Sequence, residues 1–339
     1  MQRKNIKNLQ PYSSARNEYS GSDAIFLDAN ENPNNAPYNR YPDPLQLKVK
    51  HKITEIKGIE PDSMFLGNGS DEAIDLLIRA FCQPGKDNIL SIDPTYGMYQ
   101  VCADINDVRL IKVLLTEDFQ LDVTAMLNAA DRNTKMLFLC SPNNPTSNSF
   151  EEKDILRIVE RFEGLVILDE AYIDFSKQKG FLKRIDEYQN LVILQTFSKA
   201  WSLAGIRLGM CFADSRVISI MNKIKYPYNV NQLTLAIALD ALLLKNQVKD
   251  KWIEEILSER ERISKELMAF PGVLQVYPSD ANFLLVKFRN SGELFQYLRN
   301  RKIIVRDRSK VSLCEGCLRI TIGTKEENDI LLKAMEEFR

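Results

Sequence analysis

The segment Thr196-Phe197-Ser198-Lys199-Ala200-Trp201-Ser202-Leu203-Ala204-Gly205-Ile206-Arg207 places one lysine, one arginine and several hydroxyls close together. Lysine is the side chain that condenses with an aldehyde to form a Schiff base. The apolar run Leu191–Gln195 reads as a strand that carries Ser198 and Lys199 just beyond its C-terminal end, where open α/β sheets place ligands. Small Ser202, Ala204 and Gly205 allow the backbone a tight return to Arg207. The hydroxyls of Thr196 and Ser198, with the Arg207 guanidinium, would form an anion pocket for a phosphate ester. Taken alone, the same segment also suits a surface lysine beside a turn.

A second segment narrows the choice. Leu165–Leu168 reads as a buried strand running straight into Asp169-Glu170-Ala171-Tyr172. A carboxylate at that position is costly unless a cation meets it, and a protonated pyridine nitrogen is such a cation. Tyr172 would then reach a phenolic oxygen of the same ring; capping a helix is the other use of an aspartate there. After the strand Met136–Cys140 comes Ser141-Pro142-Asn143-Asn144-Pro145-Thr146, a loop stiffened by two prolines that offers the Asn144 amide, or simply a turn. Gly67-Asn68-Gly69-Ser70-Asp71-Glu72 precedes a helical run and would cradle a phosphate on backbone N–H groups, unless Ser70 merely caps that helix. Tyr96 is a ring able to stack on a flat cofactor or to pack internally.

These residues need a scaffold, and the pattern supplies one. Short apolar runs recur at Asn88–Ile92, Arg109–Leu114, Met136–Cys140, Leu165–Leu168, Leu191–Gln195 and Leu208–Phe212, with helical patterns such as Ser70–Cys82 and Phe150–Phe162 between them. Continuous hydrophobicity marks strands buried on both faces, and βαβα alternation implies a mainly parallel sheet between helices. The C-terminal part reads as α+β. It has a long charged helix over Val248–Phe270, strand-like Asn282–Phe288, a helix near Gly292–Arg301, strand-like Ile303–Val305 and Leu318–Ile322, and a final helix. The expected division is an N-terminal arm in residues 1–40 that joins the small domain, a large domain in 41–245 and a small domain in 246–339. Leu233–Leu244 reads as a buried helix, too short to span a bilayer.

Composition excludes other chemistries. The 339 residues carry 45 Lys+Arg against 46 Asp+Glu, so nothing draws the chain to nucleic acid or an anionic membrane. A single histidine, His51, in a Lys-rich helical stretch where a solvated surface role is expected of it, rules out a His-rich metal site. Cys314 and Cys317 form one C-x-x-C without the second pair of a zinc site, so free thiols and no metal are expected. The polar N-terminus lacks the apolar core of a signal peptide, and a cytoplasmic protein is expected.

Together, the SPNNPT, DEAY and TFSKAWSLAGIRLG segments resemble the fold-type I pyridoxal-phosphate aminotransferases. Leu27-Asp28-Ala29-Asn30-Glu31-Asn32-Pro33, Arg40-Tyr41-Pro42-Asp43 and Arg319-Ile320-Thr321-Ile322 are most similar to the histidinol-phosphate aminotransferase family. The resemblance implies a seven-stranded, mainly parallel sheet in the large domain and pyridoxal 5′-phosphate on Lys199, with that lysine also moving the substrate proton. It implies Asp169 at the pyridinium nitrogen, Asn144 and Tyr172 at the ring oxygen, and Tyr96 on the ring face. Thr196, Ser198, Arg207 and the backbone of Ser70 and Asp71 would hold the phosphate. Arg319, with Arg306 and Tyr12, would bind the substrate's anionic end, with Asn30 and Asn144 nearby. Tyr41 would come from the neighbouring subunit of a homodimer. The implied reaction joins two small molecules, an amine (L-histidinol phosphate) and a keto acid (2-oxoglutarate). Aromatic-amino-acid transamination and threonine-phosphate decarboxylation are the other activities weighed, together with a cofactor-binding regulatory module that the lack of a basic DNA-binding segment disfavours. One position departs from the family pattern: Ser147 stands where the loop usually has glycine, and a positive φ there would strain it.

Overall fold

The structure, a computed structural model, describes residues 2–11, 25–244 and 246–338. The first sheet contains β1 (Met64–Asn68), β2 (Asn88–Asp93), β3 (Arg109–Leu114), β4 (Thr134–Cys140), β5 (Leu165–Asp169), β6 (Leu191–Thr196) and β7 (Leu208–Ala213). Their order is β1-β7-β6-β5-β4-β2-β3, and only β7 runs against the rest. Strands β5, β6 and β7 are buried along their whole length, which is why they read as unbroken apolar runs rather than alternating ones. One apolar cluster packs on each face of the sheet.

β1 was not legible as a strand, because Gly67 and Asn68 look like the start of a turn. Gly67 instead pairs with Gly209 inside the sheet, and the turn begins only at Gly69. The following helix, Gly69–Phe81, has Asn68 as its N-cap, so Ser70 lies in the first turn and does not cap it.

The second sheet is antiparallel and small: β8 (Val273–Val276), β9 (Phe283–Phe288), β10 (Arg306–Asp307) and β11 (Cys317–Thr321), in the order β10-β11-β9-β8. Its strands were read partly correctly. Ile303–Val305 is not a strand; pairing begins at Arg306, opposite Arg319. The long helix Asn246–Met268 and the terminal helix Lys325–Glu336 cover this sheet around Ile263, Leu284, Leu318 and Leu331. At the seam between the sheets, Tyr172, Phe175, Ala200, Ala281 and Phe283 form a separate apolar cluster. The site wall and the small sheet are therefore packed as one surface.

One expectation about burial is corrected. The apolar helix Gln232–Leu244 is only half-buried. Thr234, Leu235, Ala238, Ala241 and Leu242 face inward, whereas Leu233, Ile237 and Leu244 are 55%, 43% and 75% exposed. The Lys-rich helix Leu47–Lys57 bears out the expectation for its histidine, although not every lysine on it is solvated. His51 is exposed, but Lys50 is buried, and Lys57 donates to Gln195 Oε1 at 2.8 Å. Gln195 in turn donates to Glu170 Oε2 at 2.9 Å, so a lysine–glutamine–glutamate chain braces β5 and β6 beneath the site. All six cysteines are buried free thiols, and burial pushes Cys314 up to about 12 and Cys317 to about 11. Among the described residues no group of His, Cys, Asp or Glu is arranged to hold a metal, and no helix is long and apolar enough to cross a membrane.

Candidate active site

Three adjacent parallel strands end at one edge of the large sheet and deliver three side chains to one cavity. β5 ends on Asp169, β6 leads through Thr196 and Phe197 to Ser198 and Lys199, and β4 runs into the loop that carries Asn144. Gly69, Ser70, Asp71, Tyr96, Cys140, Tyr172 and Arg207 complete much of the lining. Their convergence follows from strand polarity, since parallel neighbours must end on the same side.

Asp169 is 3% exposed, and neither carboxylate oxygen has an ion-pair partner among the described residues. Oδ2 accepts from the Tyr99 hydroxyl at 2.9 Å, and Oδ1 accepts from the Ala171 N–H at 3.1 Å. Burial pushes the acid up to about 6 despite both donors. Such a carboxylate lacks a cation, and a pyridinium nitrogen would supply one; the residues present fit pyridoxal phosphate. Tyr99 was not singled out from the sequence. Its only signal is a spacing of three from Tyr96 on helix Met98–Ile105, which does not reveal a partner 70 residues away.

Lys199 is half-buried, with Nζ 5.3 Å from the centroid of the Tyr172 ring. Burial lowers its pKa, and Arg319 and Arg207 lower it further against the pull of Asp169 and Asp71. A larger neutral fraction is what a nucleophilic lysine requires. The Tyr172 ring packs edge-on to Phe283 at 5.2 Å, and burial raises its hydroxyl pKa.

The phosphate end is shaped by close backbone approach. A Cβ on Gly209 would lie 2.1 Å from Ser70 N, so glycine alone lets the Gly69–Ser70 turn rest on β7. Gly69, at φ +71°, passes Arg207 Nη2 where a Cβ would be 2.8 Å away. Arg207 lies 3.7 Å from Asp71 Oδ2, and Asp71 Oδ1 accepts from the Tyr96 hydroxyl at 3.1 Å. The arginine is thus poised in the pocket by a weak ion pair. Thr196, expected as a phosphate donor, lines the same cavity. Its hydroxyl donates to Leu208 O at 3.3 Å and accepts from Ser198 N at 3.0 Å, fixing the turn that presents Ser198.

The substrate side comes from the second sheet. Arg319 on β11 donates through Nη1 to Asn144 Oδ1 and lies 5.2 Å from the Phe283 ring centroid. With Oδ1 accepting from arginine, the Asn144 NH₂ points its donors elsewhere, as a ring oxygen needs. Arg306 is exposed and pairs with Arg319 across the strands. Arg308, not singled out from the sequence, lies two residues along the same edge.

Other expected residues do not enter this cavity within one chain. Tyr41 stacks on Tyr228 at 4.6 Å in a separate cleft that Asn30 also lines. Tyr12 lies outside the described residues.

Ser147 does have a positive φ, +68°, and its side chain is fully buried. Its Oγ reaches Pro278 O at 3.2 Å, while its own carbonyl accepts from Asp280 N at 2.7 Å. The serine ties the Asn144 loop to the segment leading into β9, a contact glycine could make only through its backbone.

The class I and II aminotransferase model matches residues 15–335, and the chain belongs to that family, with pyridoxal 5′-phosphate as cofactor. A histidinol-phosphate aminotransferase of Bacteroides fragilis (strain YCH46) is 54% identical over 99% of this chain and 98% of its own length. One from Parabacteroides distasonis is 55% identical over 99% and 97%. The crystal structure of the histidinol-phosphate aminotransferase from Clostridium acetobutylicum superposes with a TM-score of 0.81 at 23% identity, covering 88% of this chain and 90% of that one.

Two predictions follow from this geometry. Asp169 is raised from 3.8 to about 6, so the cofactor-free protein loses stability as pH rises from about 4 to 6 and stays lower above that. Asp169→Asn should remove this loss. The cofactor-free variant should be more stable than cofactor-free wild type at pH 8 by up to about 3 kcal/mol, with the gap closing below pH 4, while retaining cofactor less well. Denaturant melts of both proteins across pH measure the difference; a gap that does not change with pH would contradict it. At position 147, glycine relieves strain of about 1–2 kcal/mol but loses a hydrogen bond of about 1 kcal/mol. Alanine keeps the strain and loses the bond. Ser147→Ala should therefore be less stable than Ser147→Gly, by about 1 kcal/mol in equilibrium unfolding; the reverse order would exclude a role for the backbone.

Proposed function

We propose that this aminotransferase moves an amino group from L-histidinol phosphate to 2-oxoglutarate, giving imidazole-acetol phosphate and L-glutamate in histidine biosynthesis. The observation that carries the reading is the Arg319–Asn144 hydrogen bond. It sets a guanidinium for an anionic tail at a fixed place beside the cavity that holds Lys199. The full-length likeness to enzymes bearing that name supports the choice of amine. Arginine suits both partners in turn, since it pairs bidentately with phosphate and with carboxylate.

Bound pyridoxal phosphate supplies an aldehyde for the amine and a ring that accepts the electron pair left at Cα. The chain's residues do the rest. Asp169 would keep the ring nitrogen protonated; Asn144 and Tyr172 would donate to the ring oxygen, and Tyr96 would stack on the ring. Ser198, Arg207 and the Ser70 and Asp71 N–H groups would hold the phosphate, with Thr196 shaping that turn. Lys199 Nζ would anchor the cofactor aldehyde and, when free of it, would move the Cα proton of the amine substrate. Tyr172 and Phe283 exclude water from that side. Arg319 and Arg306 bind the substrate anion, with Tyr12 and Asn30 contributing from the N-terminal region.

The reading includes a homodimer in the cytoplasm, with 41–245 as the cofactor-binding domain, 246–339 as the small domain and 1–40 as an arm. Leu233, Ile237 and Leu244 line one side of their helix, and Leu233 also lines the cleft that holds Tyr41. An exposed apolar strip continuous with that cleft is suited to a second copy, which would receive Tyr41 at its own Lys199 cavity.

A panel of holoenzyme mixed separately with histidinol phosphate, histidine, phenylalanine and threonine phosphate tests the substrate. Histidinol phosphate should change the cofactor absorbance at the lowest concentration. Silence toward it, or carbon dioxide released from threonine phosphate, would replace the assignment. For the shared site, inactive Tyr41→Phe and Lys199→Ala variants, once mixed and exchanged, should recover up to about a quarter of wild-type activity, because random pairing leaves one intact site in some dimers. Absence of recovery after demonstrated subunit exchange would refute it.

A further inference from the structure

Along the edge of the small sheet, Arg306 pairs directly with Arg319, and the Arg308 N–H donates to Cys317 O at 3.0 Å. Residues two apart on a strand edge share a face, and cross-strand partners do too. Arg306 and Arg319 therefore share one face of this edge, Arg308 just past β10 lies within electrostatic reach of both, and Arg319 reaches the cavity lining at Asn144. The charges interact: burial, then Arg319 and Arg306, depress Arg308, and Arg319 and Arg308 both pull down the Tyr172 hydroxyl that burial raises. Asp307 lies between the two β10-edge arginines in sequence, but it alternates to the other face and accepts from Ser309 N at 2.8 Å.

None of the three arginines has a carboxylate partner within ion-pair distance among the described residues. The Nε atoms of Arg308 and Arg319 are buried without a hydrogen-bond partner. Three like charges held together with buried donors unsatisfied are unfavourable by themselves. An anion with more charge and more acceptor oxygens than a single carboxylate relieves both problems. A phosphate monoester carries close to two negative charges at neutral pH and three acceptor oxygens. A carboxylate carries one charge and two oxygens, which one arginine fork satisfies.

We propose that Arg308 is a specificity-determining residue: as the third guanidinium of this site, it favours the phosphate monoester of the amine substrate over the carboxylate of the amino-acid partner. This rests on the substrate reading above and adds to it a residue and a direction of selectivity.

The test uses holoenzyme, whose own phosphate pocket is filled by cofactor. Arg308→Gln and Arg308→Lys are compared with wild type in the half-reactions with histidinol phosphate and with glutamate, and by inhibition of the glutamate half-reaction with inorganic phosphate. In Arg308→Gln, kcat/KM for histidinol phosphate should fall about tenfold or more, and the inhibition constant of phosphate should rise by a similar factor. The glutamate half-reaction should change less than about threefold, and Arg308→Lys should recover part of the loss because it keeps the charge. Equal losses on both substrates, or no change in either, would overturn the proposal. If wild type fails to use histidinol phosphate, the substrate reading falls by itself; the phosphate-inhibition arm then decides Arg308, and an unchanged inhibition constant overturns it.

Discussion

A carboxylate buried without a cation organises this molecule. Asp169 ends a strand that is buried throughout, and its oxygens meet only a tyrosine hydroxyl and a backbone N–H. Two neutral donors do not offset the desolvation of a charge, and the acid's rise to about 6 reflects that. The site is therefore built for an added positive group. Lys199, Asn144, Tyr172 and the Gly69–Ser70 turn surround the place where that group would sit. The lysine–glutamine–glutamate chain beneath β5 and β6 keeps the neighbouring Glu170 out of the cavity, with both oxygens taken by Gln195 and the Phe181 N–H.

The second constraint is the junction between the two sheets. The loop after β4 is held from the far side by Arg319 on Asn144, by Ser147 on Pro278 and by Asp280, which accepts from Ser149 N at 3.0 Å. Tyr172 and Phe283 close the same seam with apolar surface. The groups that would orient a cofactor and those that would bind a substrate anion consequently share hydrogen bonds. A shift of the small sheet would move Asn144 as well as Arg319. That coupling suits a reaction in which a distant anionic group must fix the position of Cα.

Much of the large sheet was legible because its strands are buried on both faces and leave unbroken apolar runs. The strand-end residues Asp169, Lys199 and Asn144 were legible for a related reason: a reactive or charged type directly after such a run has few structural uses. β1 was hidden because its glycine and asparagine look like turn residues, although glycine there serves close packing. Burial of Lys50 and Lys57 was hidden because lysine in a charged helix is usually solvated. The half-exposed face of Gln232–Leu244 was hidden because an apolar sequence does not say whether its cover is the same chain or another.

The sequence by itself determined the chemistry available: a lysine, an acid, an anion-binding arginine and a glycine turn, each attached to a recognisable local element. Local patterns carry that information because periodicity and turn preference extend over only a few residues. Which side chains meet was decided by tertiary structure. Tyr99 and Asp169 are 70 residues apart, and Asn144 and Arg319 are 175 apart. The Ser147 tie to Pro278 likewise depends on how the two parts of the chain pack, and the grouping of Arg306, Arg308 and Arg319 on the register of β10 against β11. No local rule encodes those contacts, since each joins elements that are distant in sequence and meet only in the folded chain.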